Sequence, residues 1–157
     1  MKHIISLQLE NESGALSRVA GLFSARGFNI ESLTVAPTND ETLSRMTIVS
    51  VGDEGIIEQI VKQLDKLIDV VQVTNLTAAE HIERELVLVK IDVNSSSQAQ
   101  IDKHIEEYAG KIVDVSKDTY TVEVVGKSQK VSDFLASIDA NKILEVSRTG
   151  VTGVCRE

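Results

Sequence analysis

The sequence predicts an α+β protein built from two successive βαββαβ units. Three observations predict it. Residues 3–10 alternate between apolar and polar side chains, the mark of a half-buried strand. From residue 14 the apolar positions fall instead at helical spacing. The succession strand, helix, strand, strand, helix, strand then runs twice through the 157 residues. That order is the split-βαβ, ferredoxin-like arrangement, a four-stranded antiparallel sheet with two helices on one face.

The elements follow in order. Ile5, Leu7 and Leu9 face one way in the first strand, and Ser6, Gln8 and Glu10 the other. Leu16, Val19, Ala20 and Phe23 form the stripe of the first helix, with Ser13 as expected N-cap and Gly27 as the stop. Phe28 to Ala36 reads as a strand, Pro37-Thr38-Asn39-Asp40 as a turn, and residues 43–51 as the next strand. Asp53 is placed to cap a second helix, whose stripe is Ile57, Ile60, Val61, Leu64 and Leu67. A Val-rich strand over 69–77 completes the unit.

The second unit opens with a strand over Glu85–Val93 and a polar start signal, Asn94-Ser95-Ser96-Ser97. A helix carrying Ile101, Ile105 and Tyr108 ends at Gly110. Strands over Lys111–Ser116 and Thr119–Val125 join through Lys117-Asp118. A helix with Val131, Phe134, Leu135 and Ile138 and a last strand over 142–149 follow. The expected domains are therefore 1–78 and 79–157. Domains of this size bury limited area and gain stability by association, so a homodimer is expected, through a sheet face or an edge strand.

Composition excludes several classes of function. The net charge is −8, and each expected domain carries −4, residues 1–78 holding 6 Lys/Arg against 10 Asp/Glu. Neither half offers a basic surface to a polyanion, and aromatic residues at 3% leave few platforms for stacking bases, so no nucleic-acid partner is expected. No apolar run reaches the ~18 residues of a membrane span, and no long apolar segment follows Met1, so neither membrane insertion nor a signal peptide is expected. The single cysteine, Cys155, suits a cytoplasmic location. It lies in what reads as a tail with no base placed beside it, and an inert thiol is expected.

No catalytic set emerges. His3, His81 and His104 are far apart, and no His/Cys cluster has metal spacing, so no metal site and no catalytic residue is expected. His104 shares a helix with Lys103 and Glu107 and reads as solvated. Glu106-Glu107 and Asp53-Glu54 are adjacent pairs that diverge on a helix. Gly-x-Ser-x-Gly and Gly-x-Gly-x-x-Gly are absent.

The informative stretch is Leu9-Glu10-Asn11-Glu12-Ser13-Gly14-Ala15-Leu16-Ser17-Arg18. It reads as a strand end, a polar loop and a helix start. Free N–H groups at a helix start attract anions, a small carboxylate among them, and Gly14 leaves room for close approach. This is a device for binding rather than for catalysis.

That opening resembles an ACT-type amino-acid-sensing domain. Gly27-Phe28-Asn29-Ile30-Glu31-Ser32-Leu33-Thr34-Val35 and Thr42-Leu43-Ser44-Arg45-Met46-Thr47-Ile48 sharpen the resemblance to the small, regulatory subunit of acetolactate synthase (acetohydroxyacid synthase). The likeness continues through Glu83-Arg84-Glu85-Leu86 and Arg148-Thr149-Gly150. It implies a non-catalytic subunit that activates a catalytic large subunit holding thiamine diphosphate, Mg²⁺ and FAD. It implies feedback inhibition, usually by valine, in branched-chain amino-acid synthesis. The implied effector site lies between two ACT domains of a dimer, with Asn11, Gly14, Ala15 and Leu16 of one protomer facing Asn29 and Ile30 of the other. Two alternatives stay open: an amino-acid-sensing regulator of another enzyme or of transcription, and a small enzyme on the same scaffold.

Overall fold

The computed structural model describes residues 1–94 and 97–157; the start signal expected at Ser95 and Ser96 lies outside the described residues. The chain divides into two compact units, one of Met1–Ile82 with Val151–Glu157 and one of Glu83–Gly150. Each unit is a ferredoxin-like sheet with two helices, as the periodicity predicts.

In the first unit the order is β1 (Lys2–Glu10), α1 (Ala15–Ala25), β2 (Ile30–Pro37), β3 (Leu43–Val51), α2 (Glu54–Leu64) and β4 (Val70–Asn75), followed by a 3₁₀ turn over Leu76–Ala78. The sheet runs β2-β3-β1-β4, all antiparallel, with β2 and β4 at its edges. Ile5, Leu7 and Leu9 of β1 join Met46 and Ile48 of β3 on the face that receives the helices. Ala15, Val19 and Phe23 come down from α1, and Ile57, Ile60 and Leu64 from α2. Burial of such side chains from water is the main stabilising term, about 1.5–3 kcal/mol for each large one.

Helix boundaries follow local chemistry. The Asp53 carboxylate accepts from the Ile56 N–H at 2.8 Å, the N-cap expected there. Gly27 takes a left-handed φ of 68° just past α1 and lets the chain reverse into the Phe28 N–H to Phe23 carbonyl bond. The Phe28 ring then meets Phe23 edge-on, at 79°. The expected Ser13 cap is not formed. Gly14 occupies the N-cap position at φ 87°, with no side-chain cap. The apolar stripe of α1 keeps Val19 and Phe23 as expected but opens at Ala15, which is buried at i, i+4, i+8 spacing with them, while Leu16 is exposed.

The second unit contains most of β5 (His81–Asp92), then α3 (Gln98–Glu107), β6 (Lys111–Ser116), β7 (Thr119–Gly126), α4 (Ser128–Ser137), a 3₁₀ turn over Ala140–Lys142 and β8 (Ile143–Arg148). Its sheet runs β6-β7-β5-β8. Val87, Val89 and Ile91 meet Val122 and Val124 beneath Ile101, Ile105, Val131 and Phe134. His104 is not the solvated side chain expected; its side chain is 22% exposed and lies 3.7 Å from Glu107.

The expected boundary at 78/79 assigns everything after it to the second unit. The chain instead returns: β9 (Thr152–Cys155) belongs to the first unit and pairs with β5, whose residues His81 and Ile82 belong there too. Val151 closes a small cluster with Ile4, Val49 and Leu76, on the opposite side of β1 and β3 from the helices, and Cys155 packs against it. The Thr34 hydroxyl donates to the Val151 carbonyl at 3.1 Å. Cys155 is thus part of a strand rather than of a loose tail. The sequence signal was a short one, Val151-Thr152-Gly153-Val154, too brief for periodicity to register.

Candidate functional site

The loop between β1 and α1 is built by backbone bonds from both sides. The Glu10 N–H donates to the Asp69 carbonyl and the Asn11 N–H to the Thr42 carbonyl, each at 2.8 Å. The Asn11 side-chain amide donates to the Glu41 carbonyl at 3.0 Å. Asn11 therefore ties the loop to the β2–β3 turn, itself pinned where the Asp40 carboxylate accepts from Thr42 Oγ1 and N–H. Those two bonds hold the Asp40 carboxyl below its ordinary range, the hydroxyl contributing most.

The helix start is open. The Ala15 N–H is satisfied by the Glu12 carbonyl and the Arg18 N–H by the Gly14 carbonyl. The amides of Leu16 and Ser17 have no acceptor within the helix. No side chain caps them. Leu16 stands beside them, 45% exposed, an apolar side chain held at the mouth of a polar loop.

Arg18 lies over this start. Its Nε and Nη2 donate to the two oxygens of Asp69 at 2.5 and 2.9 Å, and Nη2 also reaches the Ser13 carbonyl at 3.4 Å. The Asp69 side chain is only 8% exposed, and the Arg18 hydrogen bond draws its carboxyl below the usual carboxylate range, against the opposing effect of burial. Neither residue is among the candidates the sequence offers: Arg18 stands only at the end of the Leu9–Arg18 motif, and Asp69 lies 51 residues away.

Asn29 and Ile30 stand elsewhere. The Asn29 amide donates to Glu31 at 2.7 Å, and its carbonyl accepts from Ser50 Oγ. Ile30 opens β2 and is half-buried against the core. Ile30 and His3 both pair with Ser50, whereas Glu10 pairs with Leu43 at the other end of the sheet. His3 and Glu10 are seven residues apart along β1, roughly 20 Å at strand rise. Within one chain the two groups of candidate residues are therefore held at opposite ends of the sheet.

Among the described residues no three His, Cys, Asp or Glu side chains come together as a metal-ligand set, and no helix is long and apolar enough to cross a membrane.

The class of protein follows from fold and sequence together: residues 5–72 match the acetohydroxyacid-synthase small-subunit-like ACT domain, so the first unit is an ACT domain. Residues 84–157 match the family described as the small subunit of acetolactate synthase. The chain belongs to the acetolactate synthase small-subunit family. The small subunit of acetolactate synthase isozyme 3 of Escherichia coli (strain K12) is 56% identical over 157 residues, covering 99% of this chain and 96% of that protein. The acetolactate synthase small subunit of Haemophilus influenzae is 53% identical over 99% of this chain and 96% of that one. The crystal structure of the acetolactate synthase small subunit of Thermotoga maritima superposes with a TM-score of 0.89 at 37% identity, covering 100% of this chain and 98% of that chain.

Proposed function

We propose that this chain is the non-catalytic regulatory subunit of an acetolactate synthase, working in the cytoplasm. It activates a catalytic large subunit and imposes feedback inhibition by valine. Thiamine diphosphate, Mg²⁺ and FAD belong to that partner.

One observation carries the effector reading: the open, left-handed helix start at Gly14 and the Asn29–Ile30 corner lie at opposite ends of a sheet whose edge strand is β2. An antiparallel pairing of β2 with β2 of a second copy sets the Ile30 end of one strand against the Pro37 end of the other. Pro37 pairs with Ser44, near the Leu43 that faces Glu10. The loop of one protomer and the corner of the other would then face one another. In this reading residues 1–78, with the returning β9, form the effector domain.

Each part of valine has a match. The Leu16 and Ser17 amides, at the positive end of α1, suit a carboxylate. The Asn11 and Asn29 amides can donate or accept at either polar end. Leu16 and Ile30 cover an isopropyl group, with Ala15 forming the buried floor. Valine bound between two protomers favours one arrangement of the dimer. The coupling that this can transmit to the catalytic subunit is about 1–3 kcal/mol.

The test is calorimetric titration of the full chain, alone and with its catalytic subunit, using valine with alanine as the comparison. Saturable valine binding at the dimer supports the reading. No binding in either setting removes valine as effector.

A further inference from the structure

The effector reading leaves Arg18 unexplained. Its guanidinium is forked onto Asp69 through Nε and Nη2. The third nitrogen, Nη1, has no acceptor among the described residues. It is also the atom that a Cβ on Gly14 would meet, at 2.9 Å. The fork therefore turns the one uncommitted nitrogen of the group towards the loop where the Leu16 and Ser17 amides are open. The Arg18 side chain is 46% exposed, so a solute can reach it, while Asp69 is almost wholly enclosed and cannot be reached in its place.

We propose that Arg18 is a carboxylate-binding residue of the effector site, and that Asp69 is the positioning residue that aims it. The proposal rests on the effector reading above and adds to it the residue that makes the site select for an acid. Asp69 neutralises the guanidinium at long range. What Arg18 supplies is thus a directed, charge-assisted hydrogen bond from Nη1 rather than a diffuse positive field. The same placement explains the demand for glycine at position 14. A side chain there would be strained at φ 87° and would press on Nη1 as well.

The test compares L-valine with L-valinamide, which keeps the ammonium and the isopropyl group but replaces the carboxylate by a neutral amide. Both are titrated into the full-length chain, wild type and Arg18→Gln, with thermal melting as the check on folding. Wild type is expected to prefer valine, and Arg18→Gln to reduce that preference about tenfold or more, the worth of one hydrogen bond to a charged group. Asp69→Asn keeps the guanidinium but loosens its aim, and reduces the preference by less.

Equal weakening of both ligands in Arg18→Gln, with the preference unchanged, assigns Arg18 a merely structural role and overturns the proposal while the effector site stands. If Arg18→Gln fails to fold, Arg18→Lys is read instead. One ammonium tied to Asp69 presents no forked third donor, so the preference must fall there too, and an unchanged preference overturns the proposal. A wild-type chain that binds none of valine, leucine and isoleucine, with or without the catalytic subunit, removes the effector reading and this proposal together.

Discussion

The Arg148 guanidinium closes on the Glu85 carboxylate with two hydrogen bonds, Nε to Oε1 at 2.7 Å and Nη2 to Oε2 at 3.1 Å. The residues are 63 apart in sequence, and the pair joins β5, where its pairing with β7 begins, to the end of β8. Thr149 continues the join: its N–H donates to the Leu86 carbonyl, and its hydroxyl accepts from the Leu86 N–H, both at 3.0 Å. The Glu85 side chain is 3% exposed, so a lost partner leaves a buried charge. Arg148→Ala should cost about 2–3 kcal/mol, below the full value of a wholly buried pair because Arg148 keeps some solvent. Replacing both residues with apolar ones of similar size should cost clearly less. Urea unfolding of the single and double variants checks this, and equal losses in the two would refute it.

Gly14→Asp should abolish the valine response while leaving activation of the catalytic subunit intact. The new carboxylate repels the effector's own, and a side chain at φ 87° is strained and displaces the Arg18 guanidinium. Asn29→His should weaken the same response from the other wall. The check is an inhibition curve of the reconstituted enzyme against valine. Retained inhibition in Gly14→Asp would displace the loop from the site, and an unaltered curve in Asn29→His would remove β2 from it.

The ion pair between Arg18 and Asp69 makes a pH-dependent contribution with a definite sign. The Arg18 hydrogen bond lowers the Asp69 pKa in the folded chain. Stabilisation from this group is therefore complete above the unfolded aspartate value, about 3.9, and is lost as pH falls through the lower folded value. The melting temperature of wild type should exceed that of Asp69→Asn near neutrality, and the gap should narrow on acidification towards about pH 2. Asp40 titrates with the same sign but is present in both proteins, so it leaves the difference unaffected. A gap that is constant with pH would show that the carboxylate's charge is irrelevant.

Val151 is 1% exposed and covers Ile4, Val49 and Leu76. Val151→Ala should destabilise the first unit by about 1–2 kcal/mol, the worth of two buried methyl groups with little relaxation. Removing residues 79–157 takes away this cover along with the second unit. A loss of valine response in that truncation would then have two causes. Retaining β9 through a short linker separates them, and hydrogen exchange at Ile4 and Val49 reports directly whether the face is protected.

Most of the architecture was legible in the chain because it is written in local periodicity. Alternation at Ile5, Leu7 and Leu9 and helical spacing at Ile57, Ile60 and Leu64 each need only a few neighbouring residues, and the core uses those side chains. The start of α1 misled because Ser13 is a good cap by type. Gly14 can take the left-handed backbone that a serine would resist, and it moved the helix start by one residue; the stripe keeps Val19 and Phe23 but opens at Ala15 instead of Leu16.

By itself the sequence determined the two βαββαβ units, the net charge of −8, and the loop and strand motifs that carry the family likeness. All of these depend on the type of residues or on their local order. Only the tertiary structure decided that Val151–Glu157 returns to the first unit, that Glu85 meets Arg148 and that Arg18 meets Asp69 beside Gly14. It also decided that Asn29 and Asn11 stand at opposite ends of one sheet. These are pairings across tens of residues, set by strand register and chain reversal. No local pattern encodes which distant carboxylate an arginine will find.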